Sequence, residues 1–244
     1  MIIQGVTLKN VGFVKDPGPP AVTSGLQVYY DPSNSASYSG GATITDLSGR
    51  GRNGTVSGSP VDAGSWLTMT GTQYVQTPNL GSAWSGWQHT IEVWLKPTAV
   101  GVGWVDSDST SYNGGYHTTG DEFYSVGPFV INNTMIYNGG TGVTRAGGGT
   151  TPLNAWYQVV RTYNGSNTAI GYVNGVAAAS TSVAWTTPVS NTWYLTFGAG
   201  NTTFFATGAA FQGSMGIIRI YDRQLSGAEV LQNYNASKSI YGLA

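Results

Sequence analysis

"WYQVVRTYNGSNTAIGYVNGVAAAST", residues 156–181, contains three short runs of β-branched and aromatic residues separated by two Asn-Gly dipeptides. Runs of this length and composition are typical of strands. Asn174-Gly175 is a strong hairpin signal because both residues tolerate positive φ, and Asn164-Gly165 predicts a second hairpin. The stretch therefore predicts a three-stranded antiparallel meander.

Similar runs recur along the chain and predict further strands at 25–32, 73–78, 89–98, 123–131, 193–200 and 216–223. In "HTIEVWLKP" (89–97), Ile91, Val93 and Leu95 fall on one face of the strand and Glu92 on the other. We expect the first face to lie in the core and the second to be at least partly in contact with water. The pattern predicts an all-β, antiparallel two-sheet sandwich.

One short helix is predicted near the C-terminus. Ser226 and Glu229 have the spacing of a capping box. Val230, Leu231 and Tyr234 follow at helical spacing and form an apolar stripe. We expect this stripe to pack on the edge of the sandwich.

Residues 1–24 differ from the rest of the chain. An alternating stretch, "GVTLKNVGFV", leads into "KDPGPPAVTSG", whose prolines and glycines are typical of a semi-rigid linker. We therefore interpret residues 1–24 as an extended arm and residues 25–244 as one domain. The N-terminus lacks the pattern of a secretory signal, and no apolar stretch is long enough to span a membrane.

Composition excludes several classes of function. Only 9% of the residues are charged and the net charge is −1, so no basic patch suited to nucleic acid or to an anionic membrane is expected. The chain has no cysteine, which excludes disulfides, thiol catalysis and cysteine-bound metals. We expect no cofactor, apart from a structural calcium ion considered below.

"DLSGRGRNGT" (46–55) places Gly49, Gly51 and Gly54 at the G-x-G-x-x-G spacing of dinucleotide-binding loops. That chemistry needs a helix immediately after the glycines, so that its N-terminus faces the pyrophosphate. No helical pattern follows here. We interpret the segment as a surface connection in which Asn53-Gly54 adopts positive φ.

The carboxylates do not form a catalytic pattern. A glycosidase needs two carboxylates about 5–9 Å apart, but Glu92 has no second carboxylate two or four residues further along its strand. We interpret it as a structural group paired with Lys96 or Arg161. With no nucleophile motif and only two widely separated histidines, we expect no enzyme activity.

Aromatic residues in turn-rich contexts are the strongest binding signal. Flat rings with a polar edge suit sugar faces and protein interfaces alike, and the alternative is that they close the ends of the sandwich. The candidates are Trp84, Trp87, Tyr112 and Tyr116, together with Phe204-Phe205.

Four motifs carry a resemblance to a known family: "GLQVYYDP" with "DLSGRGRNGTVSG", "HTIEVWLKP", "NAWYQVVRTYNGSNTAIGYVNGV" and "FQGSMGIIRIYDRQLSGAEVLQNYNASK". In this order they resemble the laminin G-like, concanavalin A-like jelly-roll domains of bacterial surface and bacteriophage virion proteins, over about residues 25–244. The resemblance implies a jelly-roll fold. It also makes Asp46 a candidate calcium ligand, with a turn-capping Asp as the alternative.

The last motif is most similar to the phage versions, so we expect a non-catalytic virion protein, made in the host cytoplasm and displayed on the virion surface as a capsid decoration. Its expected partner is the major capsid protein, bound through residues 1–24, with self-association and a host or environmental glycan as further partners. The alternative is a carbohydrate-binding module or adhesin, from a tail fibre or a bacterial surface protein, that recognises a cell-surface glycan.

Overall fold

The computed structural model describes residues 19–80, 88–98, 153–166, 168–182, 194–198 and 211–244, together with four further strands. For those four strands, at 102–107, 122–126, 134–138 and 142–146, and for residues 179–182, only the backbone is described.

The described residues form short strands followed by two helical segments. The strands are β1 (Leu26–Tyr30), β2 (Thr43–Ile44), β3 (Gly54–Ser57), β4 (Val61–Asp62), β5 (Leu67–Thr70), β6 (Tyr74–Gln76), β7 (Gln88–Pro97), β8 (Val102–Ser107), β9 (Glu122–Val126), β10 (Thr134–Asn138), β11 (Gly142–Ala146), β12 (Tyr157–Asn164), β13 (Thr168–Val173), β14 (Val176–Ser182), β15 (Thr196–Phe197) and β16 (Gln212–Tyr221). Helix α1 (Gly227–Ser237) and a 3₁₀-helix (Lys238–Tyr241) follow.

The larger sheet is antiparallel and runs in the order β14-β13-β12-β7-β16-β5-β4, with β1 also paired to β16. The predicted meander is confirmed as β12, β13 and β14. Asn174 and Gly175 have φ angles of 51° and 78° at the turn that pairs Val173 with Val176, as a type I′ hairpin requires.

The second sheet contains β15, β6, β3 and β2 in that order. Beyond β15 lie two antiparallel ribbons, β8-β9 and β10-β11. Strand β15 lies against β8, β9 against β10, and β11 against β14 of the larger sheet. The predicted two-sheet antiparallel sandwich is confirmed.

The main core lies between the sheets. Ile91, Val93 and Leu95 of β7 meet Val75 and Phe197 of the second sheet within one cluster of buried side chains. Each of these residues is at most 1% exposed. The alternation of β7 therefore assigns its core face correctly.

The opposite face of β7 is buried at its centre, at Glu92 and Trp94, so the expected contact with water is confined to the two ends of the strand. Within this strand, only Gln88 and Lys96 are not fully buried. Trp94 stacks on Tyr234 of α1 and on Tyr241 of the 3₁₀-helix. The C-terminal segment thus covers the outer face of the larger sheet.

Helix α1 begins as predicted but packs differently. Ser226 and Glu229 form the capping box. The buried residues of the helix are Val230, Asn233 and Ser237, whereas Leu231, placed in the predicted stripe, is 44% exposed. The helix lies on the outer sheet face and not at an edge, and its inner side provides Asn233 and Ser237 as hydrogen-bond partners to the buried side chains of Glu92 and Arg219. Within the described residues, no helix is long and apolar enough to span a membrane.

The first described residues of the chain also pack on the outer face of the larger sheet. Val22 is buried, its N–H donates to Asn233 Oδ1 at 2.8 Å, and its carbonyl accepts from the Tyr221 hydroxyl at 3.0 Å. Residues 20–24 therefore pack on the domain, although sequence reasoning assigns them to the arm. Residues 1–18 lie outside the described residues, and the division into arm and domain stays a prediction.

Candidate functional site

Asp46 organises the connection between β2 and β3. Its Oδ1 accepts from the backbone N–H groups of Tyr29 and Ser48, both at 2.9 Å, and its Oδ2 accepts from Ser48 Oγ at 2.7 Å and Arg52 N–H at 3.0 Å. Four protein donors thus surround the carboxylate, which is the geometry of a turn-capping Asp. Within the described residues, no three His, Asp or Glu side chains are arranged to hold a metal ion. Calcium binding at Asp46 stays a prediction.

The glycines of this connection have other roles than phosphate binding. Gly54 begins strand β3, so no helix follows the G-x-G-x-x-G segment. Positive φ occurs at Gly49 (81°) and Gly51 (70°), so the expectation of positive φ at Asn53-Gly54 is wrong. Gly54 is needed for close packing instead, because a Cβ there would lie 2.8 Å from the Tyr30 hydroxyl.

Glu92 lies in a buried polar cluster on the outer face of the larger sheet. Its partner is Arg219, at 2.8 Å, and not Lys96 or Arg161 as predicted. Glu92 and Arg219 occupy directly opposed positions of β7 and β16. Burial lowers the pKa of Arg219, but the charge of Glu92 together with Tyr221 and Tyr29 more than offsets burial and holds that pKa above its ordinary value.

Neutral donors complete the coordination of the Glu92 carboxylate. Trp94 Nε1 and Gln158 Nε2 donate to Oε1 at 3.2 and 3.0 Å, and Asn233 Nδ2 donates to Oε2 at 2.8 Å. The side chain has no exposed surface. A carboxylate held this way is a structural group that joins β7, β12, β16 and α1.

The four predicted ligand-binding aromatics, Trp84, Trp87, Tyr112 and Tyr116, lie outside the described residues, as do Phe204 and Phe205. Their role in binding stays a prediction.

The second sheet presents a different candidate surface on the side that faces away from the core. Its polar side chains, which we call the polar face, are Thr43, Thr55, Ser57, Tyr74, Gln76 and Thr196. Residues next to them in β2, β3, β6 and β15, including Ile44, Val56, Val75 and Phe197, belong to the main core. Strand alternation therefore directs the polar face outward.

Four of these residues form a row across the strands. Thr43 is opposite Thr55, Thr55 is opposite Gln76, and Gln76 is opposite Thr196. Gln76 Nε2 donates to Thr196 Oγ1 at 3.1 Å, which fixes the orientation of the amide. Exposure falls along the row, from exposed Thr43 and Thr55 through half-buried Gln76 to buried Thr196.

A second, shorter row lies beside the first. Tyr74 is half-buried and directly opposite Ser57, two residues from Gln76 on the same face. None of the six side chains of the polar face is an acid or a base that is charged at neutral pH. Sequence reasoning missed this surface, although threonines alternating with apolar residues in "ATITDL" and "GTVSG" were its signal.

Comparisons with solved structures identify several proteins of similar architecture. The chain aligns with the Trypanosoma rangeli sialidase in complex with the inhibitor DANA at a TM-score of 0.67 and 15% identity, covering 90% of this chain and 34% of the sialidase. It thus spans about a third of the sialidase chains.

Two smaller proteins align over more of their own length. Domain 4 of AbnA, a GH43 extracellular arabinanase from Geobacillus stearothermophilus, in complex with arabinotriose, aligns at a TM-score of 0.55 and 15% identity, covering 86% of this chain and 98% of that domain. The binding domain of Botulinum neurotoxin DC in complex with SialylT aligns at 0.60 and 13% identity, covering 88% of this chain and 52% of that domain. At these identities the alignments show a shared fold. No curated protein sequence matches the chain.

A family model provides the assignment at the level of sequence. The laminin G model described as "Concanavalin A-like lectin/glucanases superfamily" matches residues 69–231, which is more than half of the chain. The predicted resemblance is confirmed: the chain belongs to the laminin G-like domains of the concanavalin A-like lectin/glucanases superfamily.

Proposed function

We propose that this chain is a non-catalytic glycan-binding module and that the polar face is its binding surface. The observation that carries the proposal is the row of Thr43, Thr55, Gln76 and Thr196, which sets hydroxyl and amide groups in register across four strands. Such groups match the hydroxyls of a sugar, which both donate and accept hydrogen bonds. Two proteins of similar fold are described in complex with glycans, arabinotriose and SialylT.

Two of the three glutamates, Glu92 and Glu229, support binding without catalysis. The Glu92 carboxylate is buried and held by Arg219, and Glu229 is bound to Arg223 and caps α1. A glycosidic acid or base must instead reach the bond that it cleaves. Both side chains also lie on the α1 side of the larger sheet, away from the polar face.

The test is calorimetric titration of the full chain with neutral and sialylated oligosaccharides, compared among three variants. Thr55→Val removes one hydroxyl from the polar face at nearly constant volume, and Gln76→Met removes the amide. Thr68→Val is the matched control, because Thr68 lies on the larger sheet between the core residues Leu67 and Met69 and so faces away from the core.

We expect Thr55→Val and Gln76→Met to weaken binding about 2- to 10-fold each, the value of one hydrogen bond, and Thr68→Val to leave it unchanged. Equal effects of all three substitutions would contradict the assignment of the polar face. Alanine variants of Trp84 and Trp87 in the same titration test the predicted aromatic contacts.

A virion role is the second candidate, and the path of the N-terminal segment favours it. Residues 20–24 are held on the α1 side, where Gln232 Nε2 donates to the Pro20 carbonyl at 2.7 Å. The polar face lies on the opposite side of the sandwich. An anchor formed by residues 1–18 would therefore leave the polar face directed away from a capsid, in keeping with display of the module on a virion surface.

The test compares the full chain with a chain that lacks residues 1–18, because residues 20–24 belong to the packed domain. Both are incubated with assembled major capsid protein and sedimented. Binding that needs residues 1–18 supports the virion role. Equal binding, or no binding, of the two chains argues against it, and light scattering of the unbound chain tests the predicted self-association.

A further inference from the structure

We infer that the polar face binds an uncharged oligosaccharide laid across its strands, in preference to a terminal acidic sugar. The inference rests on the proposed function and specifies the chemistry of the ligand. It follows from three features of the described residues: the absence of charge, the length of the row, and the fixed orientation of its central amide.

The first feature is charge. A sialic acid carboxylate is bound best by a guanidinium or ammonium group, which forms charge-assisted hydrogen bonds with it. The polar face contains hydroxyls, one amide and one phenol, with no cation. A carboxylate placed there would lose hydration without a partner of opposite charge.

Two arginines on the α1 side of the larger sheet are engaged elsewhere. Arg219 is buried against Glu92, and Arg223 is bound to Glu229. On the loop that follows β2, Arg52 donates to Gln27, and Arg50 is exposed. Arg50 is therefore the exposed arginine on the loop between β2 and β3, and it serves as the discriminating position.

The second feature is the length of the row. It crosses four strands at a spacing of about 4.8 Å, so its exposed and half-buried part, from Thr43 to Gln76, is about 10 Å long. This is longer than one sugar ring. A monosaccharide would contact part of the row, whereas an oligosaccharide would contact all of its exposed portion, so affinity should rise with chain length.

The third feature is preorganisation. The hydrogen bond from Gln76 Nε2 to Thr196 Oγ1 holds the amide along the row before any ligand arrives, which reduces the entropy lost on binding. Tyr74 flanks the amide, two residues away on the same face, about 7 Å along the strand. Its half-buried ring offers an apolar surface with a polar edge for a sugar face.

The experiment titrates the full chain with arabinose, arabinotriose, cellotriose and sialyllactose at low and high salt, and repeats each titration with Arg50→Ala and Gln76→Met. We expect at least one neutral trisaccharide to bind ten-fold or more tightly than both arabinose and sialyllactose. Its affinity should be independent of salt, reduced in Gln76→Met and unchanged in Arg50→Ala. Urea unfolding of each variant confirms that it is folded.

Two results would overturn the inference in different ways. Tighter binding of sialyllactose, weakened by salt and by Arg50→Ala, would show an acidic ligand and leave glycan binding itself intact. No binding of any of the four sugars at millimolar concentration would reject the proposed function together with the inference.

Discussion

Replacing Glu92 with Gln is expected to lower the free energy of unfolding by about 3–5 kcal/mol, the cost of breaking a buried ion pair by neutralising one partner. The carboxylate has no exposed surface, and Arg219 lies 2.8 Å from it at only 3% side-chain exposure. Water therefore cannot replace the lost charge. The guanidinium would remain buried without a counter-ion.

Hydrogen-bond geometry adds to this cost. Three donors, from Trp94, Gln158 and Arg219, bind Oε1. In the Glu92→Gln variant the side-chain amide oxygen can take this position and accept the same three hydrogen bonds. Oε2 accepts from Asn233 Nδ2. In the variant the side-chain amide nitrogen would take the place of Oε2 and face Asn233 Nδ2, so that two donors would oppose each other without an acceptor. The expected loss therefore lies toward the upper end of the range.

The assay is urea unfolding followed by tryptophan fluorescence, since Trp94 lies inside the cluster. A fall in the midpoint at constant m-value reports the change in stability, and for a chain of this size it corresponds to a melting temperature lower by about 6–20 °C. Arg219→Met and the double variant complete a cycle. We expect a coupling energy of about 2–3 kcal/mol between the two sites.

Glu229→Gln is the matched control, because Glu229 forms an ion pair with Arg223 in which the two side chains are 28–29% exposed. A loss below about 1 kcal/mol for Glu92→Gln, no larger than that of the control, would refute the reasoning. Strictly additive single substitutions would also refute it, since the ion pair would then contribute no coupling.

Three further predictions concern other parts of the domain. The hydrogen bond from Arg223 lowers the pKa of Glu229 to about 2, so its stabilisation is complete above the ordinary pKa near 4.5 and is lost as pH falls toward 2. In thermal melting, Glu229→Gln should therefore be less stable than the unchanged chain by about 1 kcal/mol at pH 7, a value discounted for the partial exposure of the pair. This difference in stability should shrink toward pH 2, and a difference that stays constant with pH would contradict the prediction. Gly216→Ala would place a Cβ 2.7 Å from Tyr241 Cε1. It should lower the free energy of unfolding by about 1–3 kcal/mol and change the near-ultraviolet circular dichroism spectrum. An unchanged melting temperature would argue against this contact. Asp46→Asn replaces one carboxylate oxygen with an amide nitrogen, so the donors that bind this oxygen lose their acceptor. In EDTA the variant should have a free energy of unfolding lower by about 1–3 kcal/mol. A rise in melting temperature with calcium that is absent in the variant would support the predicted calcium ligand.

Elements that depend on local geometry could be predicted from the sequence. The hairpin at Asn174-Gly175 and the capping box at Ser226 and Glu229 each rely on residues within a few positions of one another. The core face of β7 followed from its alternation. These features need no knowledge of distant partners, and the structure confirms them.

The packing on the outer face of β7 could not be predicted from local patterns. Glu92 appears polar and exposed in a strand pattern, and the sequence offers several cations as partners. Its pairing with Arg219 requires the register between β7 and β16, and its contact with Asn233 requires α1 to fold back over the sheet. The same long-range packing buries Asn233 and leaves Leu231 exposed, so the inner side of α1 keeps Val230 and Tyr234 of the expected stripe but not Leu231.

By itself, the sequence determined that this chain is an antiparallel β-sandwich with one capped C-terminal helix, because turns, alternation and caps are local, and four motifs carried its resemblance to laminin G-like domains. Only the tertiary structure decided that Thr43, Thr55, Gln76 and Thr196 share one row and that Glu92 is a buried structural charge. Those residues come from separate strands. Their meeting depends on strand order and register, which arise from packing of the whole domain and not from any one segment.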